Sequence, residues 1–101
     1  MGFKVEHFEN LSIMILGPKG LCWDSEGRLL VVDNKASCVL VFGGGALLGR
    51  MLARFGNRGC SPHQFAGPHF LAIDSEQRIV VSDFHNHSVK VSQLYIYIKI
   101  N

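Results

Sequence analysis

The stretch GPHFLAIDSEQRIVVSDFHNHSVKV, Gly67 to Val91, decides how this chain folds. Short apolar runs alternate in it with polar punctuation. Phe70 to Ile73 reads as a short strand. Asp74-Ser75-Glu76-Gln77 reads as a turn, because Asp and Ser side chains hydrogen-bond back to their own backbone. Ile79 to Ser82 reads as a second strand and Asp83 to Ser88 as a polar loop. Val89 to Val91 begins a third strand, with Lys90 expected to alternate outward.

Working outward, the same pattern stands fifty residues earlier. Gly17 to Phe42 aligns with Gly67 to Ser92 without a gap, and eleven of 26 positions are identical. Gly17-Pro18 matches Gly67-Pro68, and Asp24-Ser25-Glu26 matches Asp74-Ser75-Glu76. Asp33, Val39 and Val41 match Asp83, Val89 and Val91. In the first unit a fourth strand, Arg50 to Phe55, follows the Gly43-Gly44-Gly45 turn. Four short strands in about fifty residues is the pattern of a propeller blade. A helical repeat is a poor rival, since Gly, Pro and β-branched residues interrupt every candidate helix.

The rest of the composition narrows the class. The chain has 101 residues, ten Lys and Arg against eight Asp and Glu, and 48% apolar residues. That fits a folded core and gives no overall charge for a nucleic-acid tail. Cys22, Cys38 and Cys60 form no disulfide framework, which fits a reducing compartment. The apolar run Ile13 to Leu16 is too short for a signal-peptide core or a membrane span. Glu6 stands where a myristoylation signal after Gly2 wants Ser or Thr. These features point to a cytoplasmic chain without a membrane partner.

Gly67 to Val91 closely resembles an NHL repeat, including the pair Asn86-His87. The linker FGNRGCSPHQF, Phe55 to Phe65, is similar to the segment that joins NHL blades. GPKGLCWDSEGRLLVVDNKASCV, Gly17 to Val39, resembles the preceding blade in Brat-like (Brain tumor-like) proteins of the tripartite-motif NHL group. The resemblance implies an all-β chain: a partial NHL-type β-propeller of two antiparallel blades, the second incomplete. Such propellers have about six blades, within the usual range. The first unit departs from the pattern with Ala36-Ser37 in place of Asn-His. The expected layout is a non-family segment at 1–16, a blade with its linker at 17–66, a partial blade at 67–92 and a non-family tail at 93–101. QLYIYIKIN, Gln93 to Asn101, lacks the Gly turn that should precede a fourth strand. Its composition suggests a truncated reading frame with read-through at both ends, and both ends are expected to pack less well than the repeat.

In a blade, the approach to the first strand and the loop between the second and third share one end. At that end the chain offers Lys19, Asn34, Lys35, Arg58, His69, Phe70, Phe84, His85, Asn86 and His87. Aromatic rings stack on bases, while amides and cations read base edges and phosphates, so this set suits single-stranded RNA. Asp24, Glu26, Asp74 and Glu76 fall at the other end. The alternative makes Phe70 and Phe84 core residues and the histidines turn caps. The resemblance implies RNA binding by the complete propeller, in a translational repressor. A protein-interaction scaffold, such as the substrate-recognition part of a ubiquitin ligase, is the competing function. No RING segment lies in this sequence to carry ligase activity.

No enzyme signature stands out. His85-Asn86-His87 lacks the wider context of a ββα-metal nuclease. The His and Cys spacings match no zinc site, so no cofactor or metal is expected. No Ser-His-Asp order, phosphate loop or small-molecule substrate site is read. Asp33 and Asp83 read as loop hydrogen-bonding groups. Cys22 and Cys38 read as small buried groups. Trp23, aligned with Ile73, reads first as core, with base stacking as the alternative.

Overall fold

The computed structural model describes residues 3–4, 14–47 and 49–93. A two-stranded ribbon joins β1 (Phe3–Lys4) to β2 (Met14–Ile15). The first repeat folds into a four-stranded sheet, β3 (Pro18–Trp23), β4 (Leu29–Asp33), β5 (Cys38–Phe42) and β6 (Met51–Phe55). The second forms a three-stranded sheet, β7 (Pro68–Ile73), β8 (Arg78–Asp83) and β9 (Ser88–Gln93). All neighbours run antiparallel in chain order. The described residues include no α-helix, only 3₁₀ turns at Gly45–Leu47 and Phe84–Asn86. The fold is therefore two successive blades of a β-propeller. The expected tail beyond Gln93 lies outside the described residues, as does most of the expected N-terminal segment.

The turns that start each blade are chemically the same. Asp24 Oδ1 accepts from the backbone N–H groups of Glu26 at 2.9 Å and Arg28 at 2.8 Å. Asp74 Oδ1 accepts from those of Glu76 and Arg78, both at 2.9 Å. The other carboxylate oxygen receives Nε of Arg28 in one turn and of Arg78 in the other. The Asp thus closes each turn by itself, and the sheet pairing follows from it. Ser25 donates to Gln77 Oε1 at 3.1 Å and joins the two turns side by side.

The main core lies between the sheets. Leu30, Val32, Val39 and Val41 meet Ile79, Val81 and the linker residue Phe65, all buried. A second cluster covers the outer face of the four-stranded sheet: Ile15, Val31, Cys38, Leu40 and Phe42. Both faces of β4 and β5 are covered, which explains their unbroken apolar runs LLVV and CVLVF.

Three expectations are corrected. Trp23 is 59% exposed and not core. Its pairing with Leu29 sets it on the outer face, which Ile15 covers over β4 and β5 but not at the β3 edge. Ile15, assigned to a poorly packed leading segment, is fully buried in that outer cluster. Lys90 does not alternate outward: its side chain is 15% exposed, and Nζ lies 3.0 Å from Asp83 Oδ2. A buried carboxylate needs a counter-charge, and Lys90 reaches it from the same face of the sheet.

Candidate functional site

Antiparallel order sorts the loops to two ends of the blades. The β4–β5 loop, the Phe55–Phe65 linker and the β8–β9 loop share one end. The β3–β4 and β7–β8 turns share the other. At the linker end Asp33 and Asp83 are 1% and 0% exposed, and each organises its loop. Asp33 accepts from the backbone N–H groups of Leu16, Gly17 and Ala36. Asp83 accepts from the Ala66 N–H at 2.6 Å, the Asn86 amide at 2.7 Å and Lys90. Burial pushes the Asp83 carboxyl up, but these donors outweigh it and hold the group below the usual carboxylate range. Both aspartates thus do the loop hydrogen bonding expected of them.

The candidate residues distribute around this frame. Lys19, Lys35, Arg58, His85 and His87 are exposed, as is His63, which the sequence reading did not single out. The Lys35 stem lies against Gly17, where an added Cβ would sit 2.7 Å from Lys35 Cγ. Phe70 and Phe84 are 67% and 60% exposed, so neither is core in this structure. Ring centroids of His69 and Phe84 lie 5.2 Å apart, and those of Phe84 and His85 5.1 Å apart. A shallow depression opens beside them, lined by His69, Phe70, Ser82, Asp83, Phe84, His87, Ser88 and Val89. These are the residues that the fold brings together. Arg58 stands apart on the linker, and Lys19 and Lys35 on the first blade.

Asn86 is half-buried, and its amide N–H groups are engaged by Asp83 and by the Gly59 carbonyl at 2.9 Å. It ties the β8–β9 loop to the linker. Asn34 donates to the Pro68 carbonyl at 3.0 Å and ties the first blade's loop to β7. The spacing from Asn34 to Pro68 carries no local signal for this bond. Among the described residues no group of three or more His, Cys, Asp or Glu is arranged to hold a metal ion. No described helix is long and apolar enough to cross a membrane.

The architecture defines a class, a β-propeller segment with a basic, aromatic loop end. A family model described as NHL repeat matches residues 16–42 and 65–91. The chain belongs to the NHL-repeat family, whose repeats are protein- or RNA-binding modules. No curated protein matches the chain in sequence.

Proposed function

We propose that this chain is part of an RNA-binding propeller that represses translation in the cytoplasm, and that it binds without catalysing a reaction. The Brat-like branch of the tripartite-motif NHL group is the proposed affiliation, on the strength of the string Gly17 to Val39, which resembles a blade of that branch. One observation carries the RNA reading. Among the described residues the linker end exposes Lys35, Arg58, His63, His85 and His87 but no carboxylate, since Asp33 and Asp83 are buried. The exposed acids Glu26 and Glu76 sit at the far end. The exposed carboxylates that would repel a phosphate backbone are thus confined to the far end among the described residues, although the chain is nearly neutral overall. Phe84 and Phe70 add faces on which bases can stack.

Titration of the complete propeller with a short uridine-rich RNA at several salt concentrations tests this. Each phosphate contact should contribute a slope of about −0.7 in log affinity against log salt. A protein-interaction scaffold would show no saturable RNA binding at any salt concentration.

A further inference from the structure

We propose that Ser61 accepts a phosphate from a proline-directed serine/threonine kinase, and that this phosphate closes the linker end to RNA. The second half rests on the RNA reading. Ser61 is followed by Pro62, no other serine of the chain precedes a proline, and the chain holds no threonine. Among the described residues the exposed serines are Ser25, Ser61 and Ser75. Ser25 and Ser75 each stand between an aspartate and a glutamate, where a further negative charge is repelled. Ser61 stands among cations. Arg58 and His63 flank it, and Lys90 donates to its backbone carbonyl at 2.9 Å.

The linker presents this serine on a tip whose base is tied down. Cys60, Ser61, Pro62 and His63 are all exposed. Beneath them Asn86 donates to the Gly59 carbonyl at 2.9 Å and Lys90 to the Gln64 carbonyl at 2.7 Å. The tip is closed by the Gln64 N–H on the Ser61 carbonyl at 3.0 Å and the Ser61 N–H on Gln64 Oε1 at 3.3 Å. Pro62 has no N–H to add, and no described residue engages the Ser61 hydroxyl. A kinase can draw out the tip while the base holds, a local opening that leaves the core in place. In a closed propeller neighbouring blades cover sheet faces, and the end loops stay at the surface. Ser61 Oγ attacks the γ-phosphorus of ATP, the bond to ADP breaks, and the hydroxyl proton passes to the kinase's base. The product carries a charge of about −1.5 to −2 near neutral pH. That offsets Lys35 and Arg58, permanent cations exposed at this end. Through Asn86 and Lys90 the tip adjoins the loop that carries His85 and His87, so the new charge repels an arriving phosphate backbone.

Peptide mass mapping and RNA titration of the complete propeller test the proposal, with a mitogen-activated protein kinase and magnesium ATP as the probe. Mapping should find phosphate on Ser61 and none on that peptide in Ser61→Ala. Pro62→Ala keeps the acceptor but should be labelled about tenfold more slowly, since the kinase loses its specificity contact. Circular dichroism should be unchanged in both variants. Phosphorylated wild type should bind a short uridine-rich RNA about tenfold more weakly than the unmodified protein, and phosphatase should restore the affinity. Kinase-treated Ser61→Ala should keep the unmodified affinity. A Ser61 that stays unlabelled overturns the proposal, as does labelling that ignores Pro62→Ala. So does phosphorylation of Ser61 that leaves RNA affinity unchanged, or an equal loss of affinity in kinase-treated Ser61→Ala. An unmodified propeller that binds no RNA overturns the RNA reading and the closing step with it, while the mass map still decides the acceptor.

Discussion

The side-chain amide of Asn86 donates to the carboxylate of Asp83 at 2.7 Å and so holds the β8–β9 loop. The first blade meets the same need differently. There Ala36, the mate of Asn86, donates its backbone N–H to Asp33 at 3.1 Å. Asn86→Ala should therefore cost about 1–3 kcal/mol, the scale for removing one partner from a buried charged hydrogen bond. Asn86→Asp should cost more, since it sets a second carboxylate against the first. Urea unfolding midpoints check both, and an unchanged midpoint for Asn86→Ala would show that the loop does not need the amide.

The depressed Asp83 carboxyl makes stability pH-dependent. Its folded pKa lies below the unfolded value of about 3.9, so the folded state favours the charged form. The contribution is fully present above that unfolded value and is lost as pH falls through the folded one. The urea midpoint should hold steady in the mildly acid range and drop in strong acid. Asp83→Asn should be less stable near neutrality and should lose less on acidification. If the variant's acid profile parallels the wild type, Asp83 is not the group responsible.

Two glycines separate backbone strain from crowding. Gly45 has φ +58° with nothing within 4 Å of an added Cβ. Gly56 has φ +92°, and its added Cβ would meet the Phe65 ring. Gly45→Ala should cost about 1 kcal/mol from the backbone alone. Gly56→Ala should cost about 2–4 kcal/mol, because it also displaces a core ring. Equal losses in thermal unfolding would show that Phe65 moves aside freely.

Within the complete propeller, Phe84→Ala and Phe70→Ala should each cost about 1–3 kcal/mol of RNA affinity if the rings stack on bases. Lys35→Ala should weaken all RNA sequences alike and reduce the salt slope by roughly one contact. Affinities that ignore all three substitutions, with RNA still bound, would move the contact away from the linker end.

The three thiols should react in order of access. Cys60 is exposed and Cys38 is buried, and burial raises the Cys38 thiol above its ordinary pKa. Iodoacetamide on the native chain should label Cys60 well before Cys38, as peptide mass mapping can read. Equal labelling rates would mean that the first blade opens as readily as the linker.

The repeat, the strands and the turns are legible in the residues alone, because these are local. Asp24 and Asp74 each close a turn with groups no more than four residues away, and period-two alternation marks a strand wherever it occurs. The loop end that gathers Lys35, His85 and His87 also followed from strand order alone. Alternation divides a strand's side chains between two faces but does not say what covers each face. Packing sets that Val41 is buried while its mate Val91 is 53% exposed, and that Trp23 lies open while Ile15 is sealed. The same holds for Lys90, whose direction is set by a buried carboxylate, and for Asn34, bonded to Pro68 across the blade boundary. Burial and buried charge pairing depend on neighbours brought together by packing, and those neighbours lie tens of residues apart in the chain.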